Sequence, residues 1–270
     1  MRTRTLATLN VSSIGMGSAQ TFDVHQQADI GVRRQIIDKC VERGVTFIDT
    51  SPMYGRAEQV LGETIEGRRD QFQLATKVWC SGKETGRAQI TQSFELLRTS
   101  YIDLLQIHNL VDWEVHLPYL EELKENGTIG LIGITYGFPD MFPEMMRIMK
   151  TGRVDTIQIS YNIKDRAVEE KILPLAEELG LGVVVMRPTG KGSLATGLKQ
   201  QPDLAPLKDY GINTWGQASL AWLLADSRVS VPIPATTKPE RVLENAVPGE
   251  MPVLPQELRD YIENETERCS

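Results

Sequence analysis

Short apolar runs alternate with helical patterns along the whole chain. Each run ends in glycine, proline or polar residues, and the segments between the runs carry apolar side chains at helical spacing. This alternation is typical of α/β proteins. Eight runs are predicted strands, at residues 14–17, 47–50, 72–78, 104–108, 131–135, 156–161, 183–186 and 229–233.

The predicted helices use glycine as a stop. The apolar stripe over 32–41 ends at Gly44, and the stripe over 173–179 ends at Gly180. The 118–127 stretch repeats the pattern. A strongly charged segment, 255–268, is predicted to form one extra helix on the outside of the fold.

Eight strands with intervening helices favour a closed barrel. Eight is the number of strands that closes a parallel barrel, and 270 residues suit a fold that takes about 250. No linker or composition break divides the chain, so residues 1–270 are predicted to form a single domain: a (β/α)8 TIM barrel with a C-terminal extra helix. The alternative is an open doubly wound sheet, but Gly15-Met16-Gly17-Ser18 lacks the third glycine of its phosphate turn.

Charge and composition narrow the classes of partner. A net charge of -7 and a pI near 5.2 speak against nucleic acid or an anionic membrane as a partner. No apolar stretch approaches the roughly 20 residues of a membrane span, and the first residues do not resemble a secretory signal. The three cysteines, Cys40, Cys80 and Cys269, suggest neither a disulfide framework nor a zinc site. A cytoplasmic protein is expected, with Cys80 in a small apolar role.

Four chemically active side chains lie at or just beyond successive predicted strand ends. Asp49 ends the second strand and Tyr54 lies on the loop above it, while Lys77 and His108 end the third and fourth strands. If the barrel closes, these side chains converge on the rim where α/β barrels keep their chemistry.

Together the four residues suit proton delivery to a carbonyl oxygen. An unpaired buried ammonium is costly, so Lys77 is expected to pair with Asp49. The ammonium would stabilise a Tyr54 phenolate and lower the pKa of that phenol, and His108 would donate a hydrogen bond to the same oxygen. Taken singly, each residue has an ordinary structural interpretation. Found together, in this order and at successive strand ends, the four residues are a more specific sign of catalysis than any one of them alone.

Three segments resemble the signatures of the aldo-keto reductases. They are Phe47-Ile48-Asp49-Thr50-Ser51-Pro52-Met53-Tyr54-Gly55 with Glu58, the Thr76-Lys77 pair, and Tyr101-Ile102-Asp103-Leu104-Leu105-Gln106-Ile107-His108. The resemblance runs over nearly the whole chain, from Ile14-Gly15-Met16-Gly17 to Glu244-Asn245. It implies an eight-stranded barrel, NADPH-dependent reduction of an aldehyde or ketone, and a tetrad of Asp49, Tyr54, Lys77 and His108 with Tyr54 as the acid.

The resemblance also implies a nicotinamide site on the later strands. Gln158 matches the glutamine expected near the carboxamide. Thr135-Tyr136 stands where the family usually has Ser-Asn, and Met186-Arg187-Pro188 replaces the usual Tyr-Ser-Pro. The stacking aromatic is therefore absent. Arg187 offers either a planar guanidinium in its place or a contact to the pyrophosphate.

The 233–245 segment is similar to the family's adenosine-phosphate segment. Pro239 is predicted to open a helix there, and a helix N-terminus is a ready phosphate site. The resemblance implies that Gly17 binds the cofactor together with residues of this segment, namely Ala235, Thr236, Thr237, Lys238, Arg241, Glu244 and Asn245. Thr236, Lys238 and Arg241 would hold the 2′-phosphate, and Glu244 and Asn245 would lie near adenine. Ala235 stands where many members have lysine, which weakens the preference for NADPH and leaves NADH possible.

The substrate is the least specified feature. The loop at 109–116 holds Trp113, and Trp113 and Tyr136 are candidate walls for an apolar or aromatic carbonyl substrate. Each could equally pack between loop and barrel. Few residues follow Asn245, and most of them are predicted to be helical and not to form a lid, so an open pocket is expected.

Other functions remain alternatives. The fold could serve as a nicotinamide-binding regulatory or subunit module with slow chemistry, or reduce an enone or assist a dehydration with the same Tyr and Lys. A metal-dependent hydrolase is disfavoured and no metal is expected, because His25, His108 and His116 form no ligand cluster at strand ends.

Overall fold

The computed structural model describes all 270 residues and contains ten strands and ten α-helices. The strands are β1 (Thr3–Leu6), β2 (Leu9–Ser12), β3 (Met16–Gly17), β4 (Phe47–Asp49), β5 (Gln73–Val78), β6 (Ile102–His108), β7 (Ile129–Tyr136), β8 (Thr156–Ser160), β9 (Gly182–Met186) and β10 (Val231–Pro232). The helices are α1 (Gln27–Arg43), α2 (Ala57–Thr64), α3 (Lys83–Leu96), α4 (Trp113–Glu125), α5 (Phe142–Met149), α6 (Ile172–Glu178), α7 (Ser193–Thr196), α8 (Trp215–Leu224), α9 (Pro239–Ala246) and α10 (Gln256–Arg268).

Strands β3 to β10 form one parallel sheet in chain order that curves into a barrel. At the seam between its first and last strands, the Gly15 and Gly17 amides donate to the carbonyls of Pro232 and Pro234 at 2.9 and 3.2 Å. A Cβ on Gly17 would lie 2.9 Å from the Ile233 carbonyl oxygen, so glycine permits this close approach. The prediction of a (β/α)8 barrel is confirmed, and the open-sheet alternative is wrong.

A hairpin that sequence reasoning missed packs against the barrel. Strands β1 and β2 pair antiparallel from Thr3–Ser12 to Leu6–Leu9. Leu6 and Val11 are fully buried and share a cluster with the apolar side chains of the barrel interior, such as Phe47 and Leu104. The alternation of apolar and polar residues in this segment was the available signal.

The predicted strand positions are right, but the outermost strands are shorter than expected. The first and last predicted strands, 14–17 and 229–233, shrink to the two-residue strands β3 and β10. The predicted terminal helix is α10. Two tryptophans of α8 donate hydrogen bonds to it: Trp222 Nε1 to Glu263 at 2.8 Å and Trp215 Nε1 to Thr266 at 3.1 Å.

The expected loop at 109–116 is half helix. Helix α4 begins at Trp113, five residues before the predicted start at Pro118, and includes that proline on its exposed side. Because proline often marks the first helical turn, the sequence suggested a later start. None of the ten α-helices combines the length and the apolar character that a membrane-spanning helix needs.

Candidate active site

The four predicted side chains converge at the carboxyl ends of β4, β5 and β6. Asp49 is the last residue of β4, Lys77 the penultimate residue of β5, and His108 the last residue of β6. Tyr54 ends a short 3₁₀ turn, Pro52–Tyr54, directly after β4. The parallel register carries these strands to one rim, where neighbouring strand ends bring their side chains together.

A buried ion pair forms the floor of the site. Lys77 Nζ lies 2.7 Å from both Asp49 carboxylate oxygens and also donates to the Thr50 carbonyl at 2.7 Å. Lys77 is fully buried, and Asp49 is 2% exposed. All three ammonium hydrogens are thus used, which is what a desolvated charge requires.

Two amides complete the surroundings of Asp49. Gln106 Nε2 donates to Asp49 Oδ1 at 3.2 Å. Burial is the largest influence on Asp49 and raises the pKa of its carboxyl above the usual value, although Lys77 and hydrogen bonds from Gln158 and Gln106 lower it. For Lys77, burial lowers the pKa of the ammonium, but Asp49 and Tyr54 outweigh that effect and leave the pKa above its usual value. Lys77 therefore stays cationic.

Tyr54 lies above this pair, partly exposed at the rim. The Lys77 ammonium is 5.3 Å from the centre of the Tyr54 ring. The pKa of the phenol is nevertheless raised: burial raises it most, Lys77 and Arg187 lower it, and Asp49 raises it further. The expectation of a lowered pKa is therefore wrong for the protein without ligands, because burial of the phenol and the nearby Asp49 charge together outweigh the effect of Lys77. A phenol whose pKa is raised is protonated near neutral pH.

His108 stands beside Tyr54 as a neutral ring. The two rings meet edge to face with centroids 5.9 Å apart. Burial, with the nearby Lys77 charge, lowers the pKa of His108 from 6.5 to about 3. The imidazole therefore acts as a hydrogen-bond donor or acceptor near neutral pH, not as an acid.

The depressed pKa of His108 predicts an acid-sensitive stability. Protons bind the unfolded histidine below about pH 6.5 but the folded one only near pH 3, so falling pH favours unfolding in this window. Between pH 7.5 and 5.5 this linkage removes about 1.4 kcal/mol from the free energy of unfolding. His108→Gln should lose that part of the slope in urea titrations. His25→Gln, at an exposed histidine, should keep it, and equal slopes for wild type and His108→Gln would contradict the assignment.

Sequence reasoning missed three side chains near the tetrad. Trp79 is 40% exposed, with its ring 6.5 Å from the His108 ring, and Met53 is exposed just before Tyr54. Ser51 is buried with its hydroxyl 3.1 Å from His108 Nδ1. Trp79 and Ser51 lie two residues beyond Lys77 and Asp49, and that spacing was the available signal.

The two candidate walls have different surroundings. Trp113 Nε1 donates to Glu144 at 2.7 Å, and the Arg147 guanidinium lies 4.9 Å from its ring. These contacts join α4 to α5. They support the interpretation that Trp113 packs between elements of the fold, and not that it lines a substrate pocket. Tyr136, at the end of β7, is partly exposed, donates to Asp140 at 3.2 Å and meets the exposed Phe138 edge to face.

The implied nicotinamide residues line the neighbouring part of the rim. Thr135 and Gln158 pair in register on β7 and β8, next to His108 on β6. Met186 ends β9, and Arg187, in a left-handed conformation (φ 54°), stacks its guanidinium 4.9 Å from the Phe138 ring. Pro188, the next residue, is buried.

The implied adenosine segment runs into α9 as expected, with Pro239 in its first turn. Thr237 and Lys238 are exposed, and the Thr236 hydroxyl donates to the Lys238 carbonyl at 3.2 Å and accepts from its amide at 3.0 Å. Arg241 lies 2.7 Å from both Glu244 oxygens, and Asn245 is partly buried on the same helix. Exposed Ala235 forms a parallel β-bridge with buried Gly17 at the barrel seam.

The fold and the site define a class of protein: a parallel barrel whose rim holds a buried Lys–Asp pair beside a tyrosine and a histidine. The model of the Aldo/keto reductase family matches residues 13–264. The chain belongs to that family and is an oxidoreductase.

Individual relatives and solved structures agree with this assignment. The chain is 28% identical to an uncharacterized oxidoreductase, YqkF, of Bacillus subtilis, over 91% of this chain and 90% of that one. Aldo-keto reductase AKR11C1 from Bacillus halodurans in its holo form is 27% identical with a TM-score of 0.81, covering 98% and 96% of the two chains. An aldo-keto reductase from Klebsiella pneumoniae in complex with NADPH is 26% identical with a TM-score of 0.84, covering 98% and 95%.

Proposed function

We propose that this protein is an NADPH-dependent reductase that converts an aldehyde or ketone to an alcohol, with Tyr54 as the general acid. The observation that carries the proposal is the placement of a protonated Tyr54 and a neutral His108 over the fully buried Lys77–Asp49 pair. Two neighbouring donors can hold one carbonyl oxygen, and a fixed cation beneath them favours the negative charge that develops.

Each residue of the tetrad has a distinct duty in this proposal. NADPH, when bound, would supply the hydride. Tyr54 gives its proton to the carbonyl oxygen, and the Lys77 charge stabilises the phenolate that remains. Asp49 holds Lys77 through both oxygens, and His108 orients the substrate oxygen.

A buried atom of the site fits the nicotinamide group. Gln158 Oε1 is buried and has no hydrogen-bond partner. A buried acceptor without a partner is costly, and a carboxamide N–H would satisfy it. Thr135, paired with Gln158 in register, offers a hydroxyl at the same level. These features support the cofactor assignment, with Met186, Arg187 and Pro188 on the adjacent strand end.

A titration with NADPH and with NADH tests the proposed cofactor preference. Quenching of tryptophan fluorescence should report binding, since Trp79 lies at the rim. We expect wild type to bind NADPH more tightly than NADH and then to reduce members of a panel of aldehydes and ketones. Failure to bind either nucleotide, or tight binding without turnover, would refute the reductase proposal.

Arg241→Ala should weaken NADPH binding about tenfold and NADH binding less than about twofold. A charged hydrogen bond to a phosphate contributes about 1.5–3 kcal/mol, and only NADPH carries the 2′-phosphate. Arg153→Ala, which removes a surface arginine bonded to Glu121, is the control and should leave both affinities unchanged. Equal loss for both nucleotides would move Arg241 away from the 2′-phosphate.

A cytoplasmic location is also proposed. The three cysteines are free thiols, two of them buried, which suits a reducing compartment.

A further inference from the structure

We propose that Ser51 is a positioning residue that fixes His108 in the tautomer with its proton on Nε2 and couples that ring to the turn carrying Tyr54. The kinetic consequence of this inference rests on the proposed function. The tautomer itself is a property of the protein without any ligand.

The surroundings of the Ser51 hydroxyl offer its hydrogen a single acceptor, which is His108 Nδ1. The Ser51 side chain is fully buried between β4 and the 3₁₀ turn. The oxygen accepts from the Met53 amide at 3.2 Å and lies 3.1 Å from His108 Nδ1, and it has no other side-chain partner. If Nδ1 carried a proton, the buried hydroxyl hydrogen would have no acceptor, so Ser51 donates and Nδ1 accepts.

The tautomer follows from the neutral state of the ring. A neutral imidazole that accepts at Nδ1 carries its hydrogen on Nε2. Nε2 has no partner within the protein, so it is the nitrogen available to a ligand at the rim. Burial and Lys77 keep the pKa of His108 at about 3, so this donor persists across the neutral range.

Ser51 also connects the histidine to the acid. Its hydroxyl caps the Pro52–Tyr54 turn, and its carbonyl accepts from the Tyr54 amide at 3.0 Å. One residue thus contacts both the histidine and the tyrosine turn. A small movement of Ser51 would displace the two donors that must meet on one oxygen, and such misplacement is costly in rate.

Nitrogen NMR of histidine-labelled protein tests the tautomer directly. The chain has three histidines, and His108→Gln identifies the signals of His108 by their loss. Wild type at pH 7 should show a bare Nδ1 and a protonated Nε2. A protonated Nδ1 or a charged ring would overturn the proposal, whatever the activity of the protein.

Two substitutions at Ser51 separate the hydroxyl from the bulk of the side chain. Ser51→Ala should populate the Nδ1-protonated form, whereas Ser51→Thr should retain the wild-type signature, because the extended backbone at Ser51 (φ -166°, ψ 147°) accommodates a branched residue. An unchanged tautomer in Ser51→Ala would overturn the assignment. If that variant does not fold, the wild-type spectrum still decides.

Turnover measures the coupling. Ser51→Ala should lower kcat about tenfold with little change in KM, and in the His108→Gln background its further effect should be clearly smaller, because only the contact to the Tyr54 turn is then lost. Ser219→Ala, which removes another fully buried serine hydroxyl that donates locally within α8, is the matched control and should leave kcat unchanged. Equal losses in both backgrounds would assign the effect to the turn alone and overturn the role through His108. If the wild-type protein reduces no carbonyl, the proposed function fails, but the NMR spectra still determine which nitrogen of His108 carries the proton.

Discussion

Replacing Tyr54 by phenylalanine is expected to abolish carbonyl reduction while leaving NADPH affinity nearly unchanged. The change removes the only phenol above the Lys77–Asp49 pair and keeps the ring that packs against His108. General acid catalysis contributes about 10²–10⁴-fold, so kcat should fall by at least about a hundredfold. Steady-state rates with the best substrate of the carbonyl panel, together with the fluorescence titration, provide the measurement.

The control for this prediction is a tyrosine far from the site. Tyr101→Phe removes the hydroxyl of an exposed tyrosine just before β6, at the opposite end of that strand from His108. It should retain wild-type kcat. Wild-type turnover in Tyr54→Phe would eliminate Tyr54 as the acid, and a large loss of cofactor binding would show that the phenol holds the nucleotide instead.

The barrel and the convergence of the tetrad could be predicted because both follow from strand periodicity. Each short apolar run ends at a polar residue, and parallel strands place their ends on one rim. Lys77 within an apolar strand demanded a partner, and Asp49 on the next strand is that partner at 2.7 Å. The cost of burying the Lys77 charge therefore predicted its contact with Asp49, which no local sequence pattern indicates.

The electrostatic state of the site was beyond the sequence. The pKa of Tyr54 depends on how far burial outweighs Lys77, and the pKa of His108 depends on its depth. Both are properties of packing that no pair of residue types determines. Ser51 escaped notice for the same reason, because an ordinary serine becomes important only when its hydroxyl meets His108 Nδ1.

Loop chemistry was the other difficulty. Trp113 seemed to belong to a loop over the pocket because Pro118 suggested a later helix start, yet it packs against Glu144 and Arg147 of α5. Arg187 likewise had two interpretations. In the structure its guanidinium lies beside the ring of Phe138. Phe138 is exposed and follows the end of β7, so the strand pattern gave no sign of this contact.

Replacing Lys77 by methionine is expected to be the most destabilising single change. Methionine fills the volume but leaves the Asp49 carboxylate buried without its cation, and breaking a buried ion pair costs about 3–5 kcal/mol. Urea titration of the purified variant measures the loss. Lys124→Met is a matched control, because Lys124 makes the same two 2.7 Å contacts to Asp155 but is 39% exposed. Such surface pairs contribute about 0–1 kcal/mol.

The double variant Lys77→Met/Asp49→Asn separates the structural role of the pair from its catalytic one. Removing the carboxylate charge should restore much of the lost stability, since an uncharged amide is far less costly to bury. Turnover should stay low, because the phenolate of Tyr54 would still lack the cation that stabilises it. If the double variant were as unstable as Lys77→Met, the cost would lie in the lost donor to the Thr50 carbonyl. If it regained turnover, Lys77 would be a structural cation, and the proton of Tyr54 would need no neighbouring charge.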